Sequence, residues 1–504
     1  MAANNPECKA TSMLCVMMKC LHRGPSVMIS VIPVHKLTAS FQYDVVLDAA
    51  RKVEGAGGVV LGSITDNHKI NQQYCTMFSR PTYCPASATH PLDQNRVWHL
   101  LFDSVHLLKC IRNNWISEKC QTLSLDQRCV GSFQDVIDLY NKEKESILKT
   151  SPLTQAAVKP SKLQLQNVQH VLKVFNEKVV AALKLQGCKD TAAFIDIILQ
   201  WWNVMNVSSK GQHIRLNDPN RQPQTKESSN LKYFLDIFEH CESGHGSSRK
   251  QCFTHDTRKA LIQTMYGMIA LCTHLLSSGF EYVLLREIQS DRIEGEFGVY
   301  RQSTGANAFM TAGNVINASK KRLARYAAGY LETLNFSNEK VTNHTCVENA
   351  FSIDDARVQE TIYSREADLS ANELASCAYV AGWLEQKCTL EYDDEDPLVD
   401  SEISSFITEV SRGQLCIPHE STFEIVQQGL CFMNLAKQRV CCRQRLEIVL
   451  SRLYSYIPSS SEKPSKFFRH LSNVLLSGLH NLERDHQKNA TLLQTSIKKA
   501  RLMD

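Results

Sequence analysis

The sequence predicts an α/β domain that is interrupted by a large all-helical insertion and followed by a mostly helical C-terminal region. Strand and helix patterns alternate over residues 13–116, helical periodicity alone runs over 133–280, and a capped acidic helix begins at Ser290. An α/β pattern that stops for a long helical run and then resumes indicates one domain inserted into another. The chain is therefore expected to fold as an interrupted α/β domain with a helical domain inside it.

Four short apolar patterns in the first part of the chain indicate buried strands, because they are rich in Val and Ile and shorter than a core helix. The third strand stops at Asp66, and the end of a strand in an open sheet is a common position for a site residue. An Asp followed by an Asn also opens ordinary turns, so both interpretations stand. The strands are 13–21, 27–34, 58–67 and the beginning of 97–116, with a helix at 36–54 between the second and third.

Residues 133–280 show helical periodicity with one long interruption. Apolar residues recur about every 3.6 positions in each segment, which is typical of helices with one buried face. The interruption at 208–229 is polar and rich in Asn, Gln and Pro, so it is predicted to be a surface loop or disordered. The helical segments are 133–149, 163–185, 191–205, 230–242 and 257–278, and further helical patterns follow at 314–332, 370–387, 422–437, 443–456 and 466–485.

The helix after Ser290 begins with two carboxylates on one face. Asp291 and Glu294 lie in its first turn, where the positive end of the helix dipole favours acids, and residues three apart share a face. An ordinary helix start with solvated acids has the same pattern. The predicted boundaries place the α/β domain at 1–115 and 286–335, the insertion at 116–285, and the C-terminal region at 336–504.

Composition is typical of a globular intracellular protein, and no membrane partner is expected. The net charge of +4 over 504 residues is too small to imply a nucleic-acid partner by itself. The N-terminus lacks the charged-then-apolar plan of a secretory signal, so the 19 cysteines are expected to be reduced. No apolar run approaches the roughly 18 residues that are needed to span a bilayer.

A basic helix face follows the acidic helix. Lys320, Lys321, Arg322 and Arg325 lie close together on the predicted helix 314–332. Such a run of cations is usually a solvated face, and it is also the kind of surface that binds phosphate groups of nucleic acid. Both interpretations stay open from the sequence.

Four stretches, taken in order, resemble the P-element-type DNA transposases, including the THAP-zinc-finger members of that family. The resemblance implies an RNase H-like catalytic core that carries a D-D-E set of acids and is split by a GTP-binding helical insertion. It also implies DNA as a partner and a nuclear location. The four stretches are GSITDNHKIN (62–71), LLFDSVHLLKCIRNNW (100–115), FIDIILQWWNVMN (194–206) and QSDRIEGEFGVYRQSTGAN (289–307).

By this resemblance, Asp66 is the second acid of the set and Glu294 is the third. Two-metal phosphoryl transfer needs several carboxylates that converge on a pair of Mg²⁺ ions. The first acid and the zinc finger have no counterpart in the sequence, which indicates an N-terminally truncated relative. Two acids are expected to hold Mg²⁺ weakly or not at all. Asp103 matches a family stretch that leads into the insertion and is not interpreted as a metal ligand.

The resemblance also marks nucleotide positions at Asn203, Asn206 and Asp291, with Lys159 as a phosphate contact. The family has an Asp at the position of Asn203, and a carboxylate can accept two hydrogen bonds from guanine. An Asn amide offers one acceptor oxygen, and its NH₂ group would face a second N–H donor of guanine. GTP binding is therefore expected to be weak, and Asn203→Asp is predicted to strengthen it if a pocket is present.

The sequence leaves three interpretations of function. The first is a transposase-derived protein of the P-element type whose strand-cleavage chemistry is incomplete. The second is an active DNA transposase with further sequence at the N-terminus, and the third is a domesticated regulator that binds DNA or protein. Self-association is an additional open alternative.

Overall fold

The computed structural model describes most of the chain in twelve stretches. They are residues 10–21, 26–78, 86–117, 122–126, 129–162, 164–241, 253–303, 310–332, 369–388, 400–412, 414–436 and 465–500. The predicted helix at 443–456 and the side chain of Arg325 lie outside the described residues.

The described residues form seven strands and seventeen α-helices. The strands are β1 (Ser12–Lys19), β2 (Ser26–Val34), β3 (Gly62–Thr65), β4 (Ser87–His90), β5 (Asp93–Phe102), β6 (Thr122–Asp126) and β7 (Cys129–Ser132). The first thirteen helices are α1 (Ala39–Gly55), α2 (Lys69–Thr76), α3 (Ser104–Ile116), α4 (Phe133–Glu143), α5 (Gln155–Val158), α6 (Val168–Val174), α7 (Glu177–Leu185), α8 (Lys189–Met205), α9 (Gln212–Arg215), α10 (Asn230–His240), α11 (His255–Ser277), α12 (Asp291–Ser303) and α13 (Ala312–Glu332). The C-terminal helices are α14 (Ala371–Cys388), α15 (Ser401–Ser411), α16 (Glu420–Ala436) and α17 (Ser465–Ala500).

The strands belong to three small sheets. The central sheet has the order β3-β5-β4, with β3 parallel to β5 and β4 antiparallel to it. The strands β1 and β2 form a separate antiparallel hairpin, and β6 and β7 form another. The four predicted strands and the mixed α/β character are thus confirmed, while β4 and the β6–β7 hairpin were not predicted.

Gly62 fixes the register of β3 on β5. It pairs with His99, and a Cβ at this position would lie 2.1 Å from the His99 carbonyl oxygen. Only glycine allows that close approach of two backbones. The register aligns Thr65 with Phe102, so the two strands end side by side.

Helix α11 packs on the central sheet. The Phe102 amide donates to Thr264 Oγ1 at 3.2 Å, and His99 Nε2 lies 3.3 Å from His274 Nδ1. By length and apolar composition, α11 could cross a membrane, although 61% of its apolar window is buried in the protein. Its packing against β5 is that of a core helix.

Two predictions about the helical part had different outcomes. The segment 208–229 is a largely exposed loop, as one of its two predicted alternatives stated, and it contains α9 and a bridge from Gln224 to Val283. The predicted helix 163–185 is two helices, because Asn176 adopts an extended backbone and caps the start of α7. A side chain that accepts from a backbone N–H starts a new helix and interrupts the preceding one.

The C-terminal helices dock on the helical part through buried polar contacts. Glu143, at the end of α4, is 2% exposed. Its Oε1 accepts a hydrogen bond of 3.0 Å from Asn372 Nδ2, at the start of α14. It also accepts from the backbone amides and hydroxyls of Thr150 and Ser151. Burial raises the pKa of Glu143 to about 7, against the opposing effect of these donors.

A second, smaller apolar cluster joins α12 and α13 to the β1–β2 hairpin. Tyr300, Val315 and Ala318 form its buried centre, and Met13 and Val31 pack against it. This contact packs α12 and α13 against the β1–β2 hairpin.

Candidate functional site

Two acids stand at the ends of neighbouring parallel strands. Asp66 follows β3 and Asp103 follows β5, and the Asp103 amide donates to the Thr65 carbonyl at 2.8 Å. Because parallel strands that are aligned in register end at one edge of a sheet, both residues reach the same edge. We call the region formed by Asp66, Asp103 and Glu294 the acidic edge.

Asp103 connects the acidic edge to α12. Its side chain is fully buried, Oδ2 accepts from the His106 amide at 3.1 Å, and Oδ1 accepts from the Ser290 amide at 3.0 Å. One carboxylate therefore caps α3 and also holds the residue that precedes α12. Asp103 acts here as a structural bridge rather than as an exposed ligand.

Glu294 faces basic side chains of α3. Its Oε1 lies 3.3 Å from His106 Nε2 and 3.9 Å from Lys109 Nζ, and these two nitrogens are 3.2 Å apart. The His106 hydrogen bond and the Lys109 charge lower the pKa of Glu294, while burial opposes them. The side chain is 48% exposed, so Glu294 is an ionised and accessible carboxylate with protein partners.

Asp66 is held by its own loop. Its Oδ1 accepts from Asn71 Nδ2 at 2.6 Å and from the His68 amide at 2.9 Å. Asp66 and Lys109 both act on the Cys110 thiol, whose pKa is raised mainly by burial. The Asp66 carboxylate therefore acts electrostatically on α3 at Cys110, the residue after Lys109.

Asp291 lies among other acids at the start of α12. Burial and the nearby Asp103 carboxylate raise the pKa of Asp291, and Arg286, 3.8 Å away, opposes this rise. Glu294 adds a smaller unfavourable charge. The structure thus brings Asp103, Asp291 and Glu294 into one region, while the predicted proximity of Asp66 and Glu294 stays a prediction.

The acids do not converge on a point. Within the described stretches, no group of three or more His, Cys, Asp and Glu side chains is arranged to hold a metal ion. Asp103 uses both carboxylate oxygens for backbone amides, and Glu294 Oε1 faces His106 and Lys109. As arranged here, the residues do not fit a pair of Mg²⁺ ions.

The predicted nucleotide positions divide into two groups. The end of α8 meets the segment before α12, where Gln289 Nε2 donates to the Met205 carbonyl at 2.8 Å. Asn206 and Asp291 therefore lie on neighbouring segments. Lys159 is exposed at the end of α5, and no hydrogen bond or ion pair joins it to these segments within the described residues.

Asn203 has a buried structural contact where the sequence suggested a nucleotide contact. It is fully buried, and its Nδ2 donates to Asp218 Oδ2 at 2.9 Å. An Asp at position 203 would place a second carboxylate against Asp218 at a site that is buried from solvent. We therefore expect Asn203→Asp to destabilise the fold, instead of strengthening guanine binding as the family pattern suggested.

Asp218 is the centre of a buried charge network that the sequence did not reveal. It is 1% exposed and accepts from Arg221 Nε at 3.1 Å and from the Arg412 guanidinium. Arg412 also donates to Glu177 at 3.0 Å. Arg412 adopts a left-handed backbone, with φ of 51°, at the end of α15. The network, which borders a pocket of about 280 Å³, ties the C-terminal region to α7 and α8. We call it the Asp218 junction.

The basic face on α13 is only partly available for phosphate groups. Lys320 and Lys321 are exposed. Arg322 instead donates to Glu296 from Nε and Nη2 at 3.1–3.2 Å, and so stabilises the contact between α12 and α13. Of the described cations in the predicted set, two remain on the surface.

The fold resembles a solved structure, the Drosophila P element transposase strand transfer complex. The TM-score is 0.52 with 16% sequence identity, over 62% of this chain and 69% of that chain. No model of a protein family matches the sequence, and a search of curated proteins gives no match. At this identity the likeness is one of fold, and it confirms the predicted resemblance as a P-element-like transposase fold.

Sequence reasoning missed the residues that hold the acids in place. His106 and Lys109 follow Asp103 at spacings of three, so all three can share a face of α3. That spacing was visible, but the partner on α12 was not. The pairs Asp103–Ser290 and His106–Glu294 join segments that are far apart in the chain.

Proposed function

We propose that this chain is a transposase-derived protein of the P-element type that binds DNA and does not complete strand cleavage. The observation that carries the proposal is the acidic edge, where protein donors engage the carboxylates of Asp66, Asp103 and Glu294. The proposal includes an RNase H-like core that is interrupted by a helical insertion. It also includes a nuclear location, since DNA is the partner.

The fold supports the ancestry. The solved structure that it resembles is a transposase in a strand transfer complex. In this chain, the strand ends at Asp66 and Asp103 come before a long helical region, and Ser290, which precedes the helix of Glu294, bonds to Asp103 after it. That order is what an insertion between a strand and a later helix of one domain would produce.

The contacts of the acids support the lack of cleavage. Cleavage by two metal ions needs the attacking and leaving oxygens to be stabilised together, so several carboxylates must converge. Asp103 is used as a helix cap and a bridge to Ser290. The Lys109 ammonium lies near Glu294 and partly occupies the electrostatic role that a cation would have there. Loss of a converging acid is expected to cost several orders of magnitude in rate.

A nuclease assay on DNA tests the proposal. The purified 504-residue chain is incubated with duplex DNA and with Mg²⁺ or Mn²⁺, and binding and nicking are measured separately. We expect salt-sensitive binding, because phosphate contacts release counterions, and we expect no nicking.

Glu294→Ala is the control for any nicking that is seen. Nicking that disappears in this variant would show that the acidic edge cleaves DNA. It would overturn the proposal that the chain does not complete strand cleavage. A chain that binds no DNA at low salt would overturn the proposal as a whole.

A further inference from the structure

The pocket at the Asp218 junction lies between the helical part of the chain and the C-terminal region. Its volume is about 280 Å³, which is small for a ligand pocket, since these usually enclose roughly 300–1,000 Å³. A pocket of this size suits a small group rather than a large ligand. Its charged lining consists of four acids and one arginine, namely Glu177, Asp196, Asp218, Glu409 and Arg412.

Most of these acids already hold cations of the protein. Asp218 and Glu177 both accept from the Arg412 guanidinium, and Arg221 lies 3.1 Å from Asp218 and 4.0 Å from Glu177. Glu409, on α15, pairs with a lysine of α7. The wall of the pocket is therefore suited to guanidinium groups, because two of them are bound there by the chain itself.

Asp196 is the acid of the pocket that lacks a cation. Its Oδ2 accepts from Gln200 Nε2, a neutral donor, at 2.7 Å, and it forms no ion pair with any residue that the structure describes. The side chain is partly buried, where a carboxylate is less well solvated than in water. The pocket is therefore short of positive charge at Asp196.

The junction is also short of hydrogen-bond donors. Asn203 is fully buried, its Nδ2 donates to Asp218, and its Oδ1 has no partner. Asp196, Gln200 and Asn203 follow one another at spacings of four and three on α8, so they share the helix face that borders the pocket. A buried acceptor without a donor is unfavourable, because it has given up its hydrogen bonds to water.

We propose that this pocket binds the guanidinium group of an arginine side chain from a partner polypeptide. A guanidinium supplies the positive charge that Asp196 lacks, together with several N–H donors in one plane. Planar donors fit carboxylates well, as the contacts of Arg412 with Asp218 and Glu177 illustrate. The inference stands apart from the proposed function, since neither DNA nor the acidic edge enters it.

Other ligands fit the lining less well. Across the described stretches, no group of three or more His, Cys, Asp and Glu side chains is arranged to hold a metal ion. The acids would repel the phosphate groups of a nucleotide. A free amino acid would bring its own carboxylate toward the same acids, so an arginine residue within a polypeptide is the better ligand.

The test uses N-acetylarginine amide as the probe and the full chain as the receptor. N-acetylcitrulline amide is the matched ligand, because it has nearly the same shape and no charge. Binding is measured by calorimetry at low salt, and the melting temperature is measured with each compound. We expect the arginine compound to bind and to raise the melting temperature, since a ligand of the folded state stabilises it. The citrulline compound should do neither.

Asp196→Asn removes the unpaired charge and keeps an acceptor for Gln200. We expect its affinity for the arginine compound to fall about tenfold or more, the change that follows from weakening a charged hydrogen bond. Asp138→Asn is the control, because Asp138 also accepts from a glutamine four residues away, at 2.8 Å, and is exposed on α4. It should bind the arginine compound as tightly as the wild type does.

The inference has clear ways to fail. A wild type that binds neither compound, or binds both equally, would overturn it, and so would equal affinities in the wild type and Asp196→Asn. If Asp196→Asn does not fold, the two compounds compared on the wild type decide. Free L-arginine that binds more tightly than the capped residue would overturn the polypeptide partner. None of these results bears on whether the chain binds DNA.

Discussion

The acidic edge and the Asp218 junction use carboxylates in opposite ways. At the acidic edge, Glu294 is 48% exposed, and its Oε1 lies 3.3 Å from His106 Nε2 and 3.9 Å from Lys109 Nζ. At the junction, Asp218 is 1% exposed and accepts from Asn203 and two arginines. An accessible acid with loose partners can exchange them for a ligand, while a buried and saturated acid can only hold the fold together.

The comparison separates residues that look alike in the sequence. Asn203 and Glu294 both stand at positions that a resemblance marks as functional. In the structure, Glu294 is partly exposed, whereas Asn203 is buried and donates a hydrogen bond to Asp218. Exposure and partners, rather than position in a motif, decide which of the two can meet a ligand.

The largest expected effect is at the junction. Asp218→Ala leaves the Arg412 and Arg221 guanidiniums and the Asn203 amide without their buried acceptor. Removing one partner of a buried ion pair costs about 3–5 kcal/mol, so we expect a loss of this size in the free energy of unfolding, measured with urea.

Asp236→Ala is the control, because Asp236 is 72% exposed and its carboxylate lies 3.2 Å from His240 Nδ1 on the same helix. An exposed pair of this kind contributes about 0–1 kcal/mol. Equal losses in Asp218→Ala and Asp236→Ala would remove the distinction between the junction and the surface.

The next effect is a pH dependence at Glu143. Its pKa is about 7 in the folded protein and 4.5 in the reference state, so the folded state binds the proton more tightly. The favourable contribution is therefore fully present below pH 4.5 and is lost as the pH rises through 7. The change is roughly 3 kcal/mol over that window.

Unfolding free energies measured from pH 4.5 to 7.5 test this prediction. Glu143→Gln removes the titrating group, so its stability should depend less on pH than that of the wild type. Glu424→Gln, which changes an exposed acid on α16, should keep the wild-type slope. Parallel curves for the wild type and Glu143→Gln would contradict the raised pKa.

The smallest expected effect is at the acidic edge. Glu294→Ala removes a half-exposed carboxylate whose contacts with His106 and Lys109 are screened by solvent. We expect a loss of about 0–1 kcal/mol in the free energy of unfolding. A loss as large as that of Asp218→Ala would show that Glu294 is a structural residue. The acidic edge and the Asp218 junction would then not differ in how they use their carboxylates.

Much of the fold could be read from local patterns. The periodicities at 27–34, 97–116 and 191–205 were sufficient to predict β2, the β5–α3 unit and α8, because side-chain period follows backbone geometry. The end of the strand at Asp66 was equally local. The contacts that hold the loop 208–229 could not be predicted from local patterns. Its polar residues find their partners in other segments, as Asp218 does with Asn203.

The sequence by itself determined four of the seven described strands, most of the described helices, the resemblance to P-element-type transposases, and that Asp66 ends a strand and Glu294 begins a helix. Only the tertiary structure decided what surrounds them. The register set at Gly62 brings Asp66 beside Asp103, and Asp103 in turn holds the start of α12. The physical reason is that backbone preferences act over a few residues, while burial and charge pairing depend on segments that meet only in the folded chain.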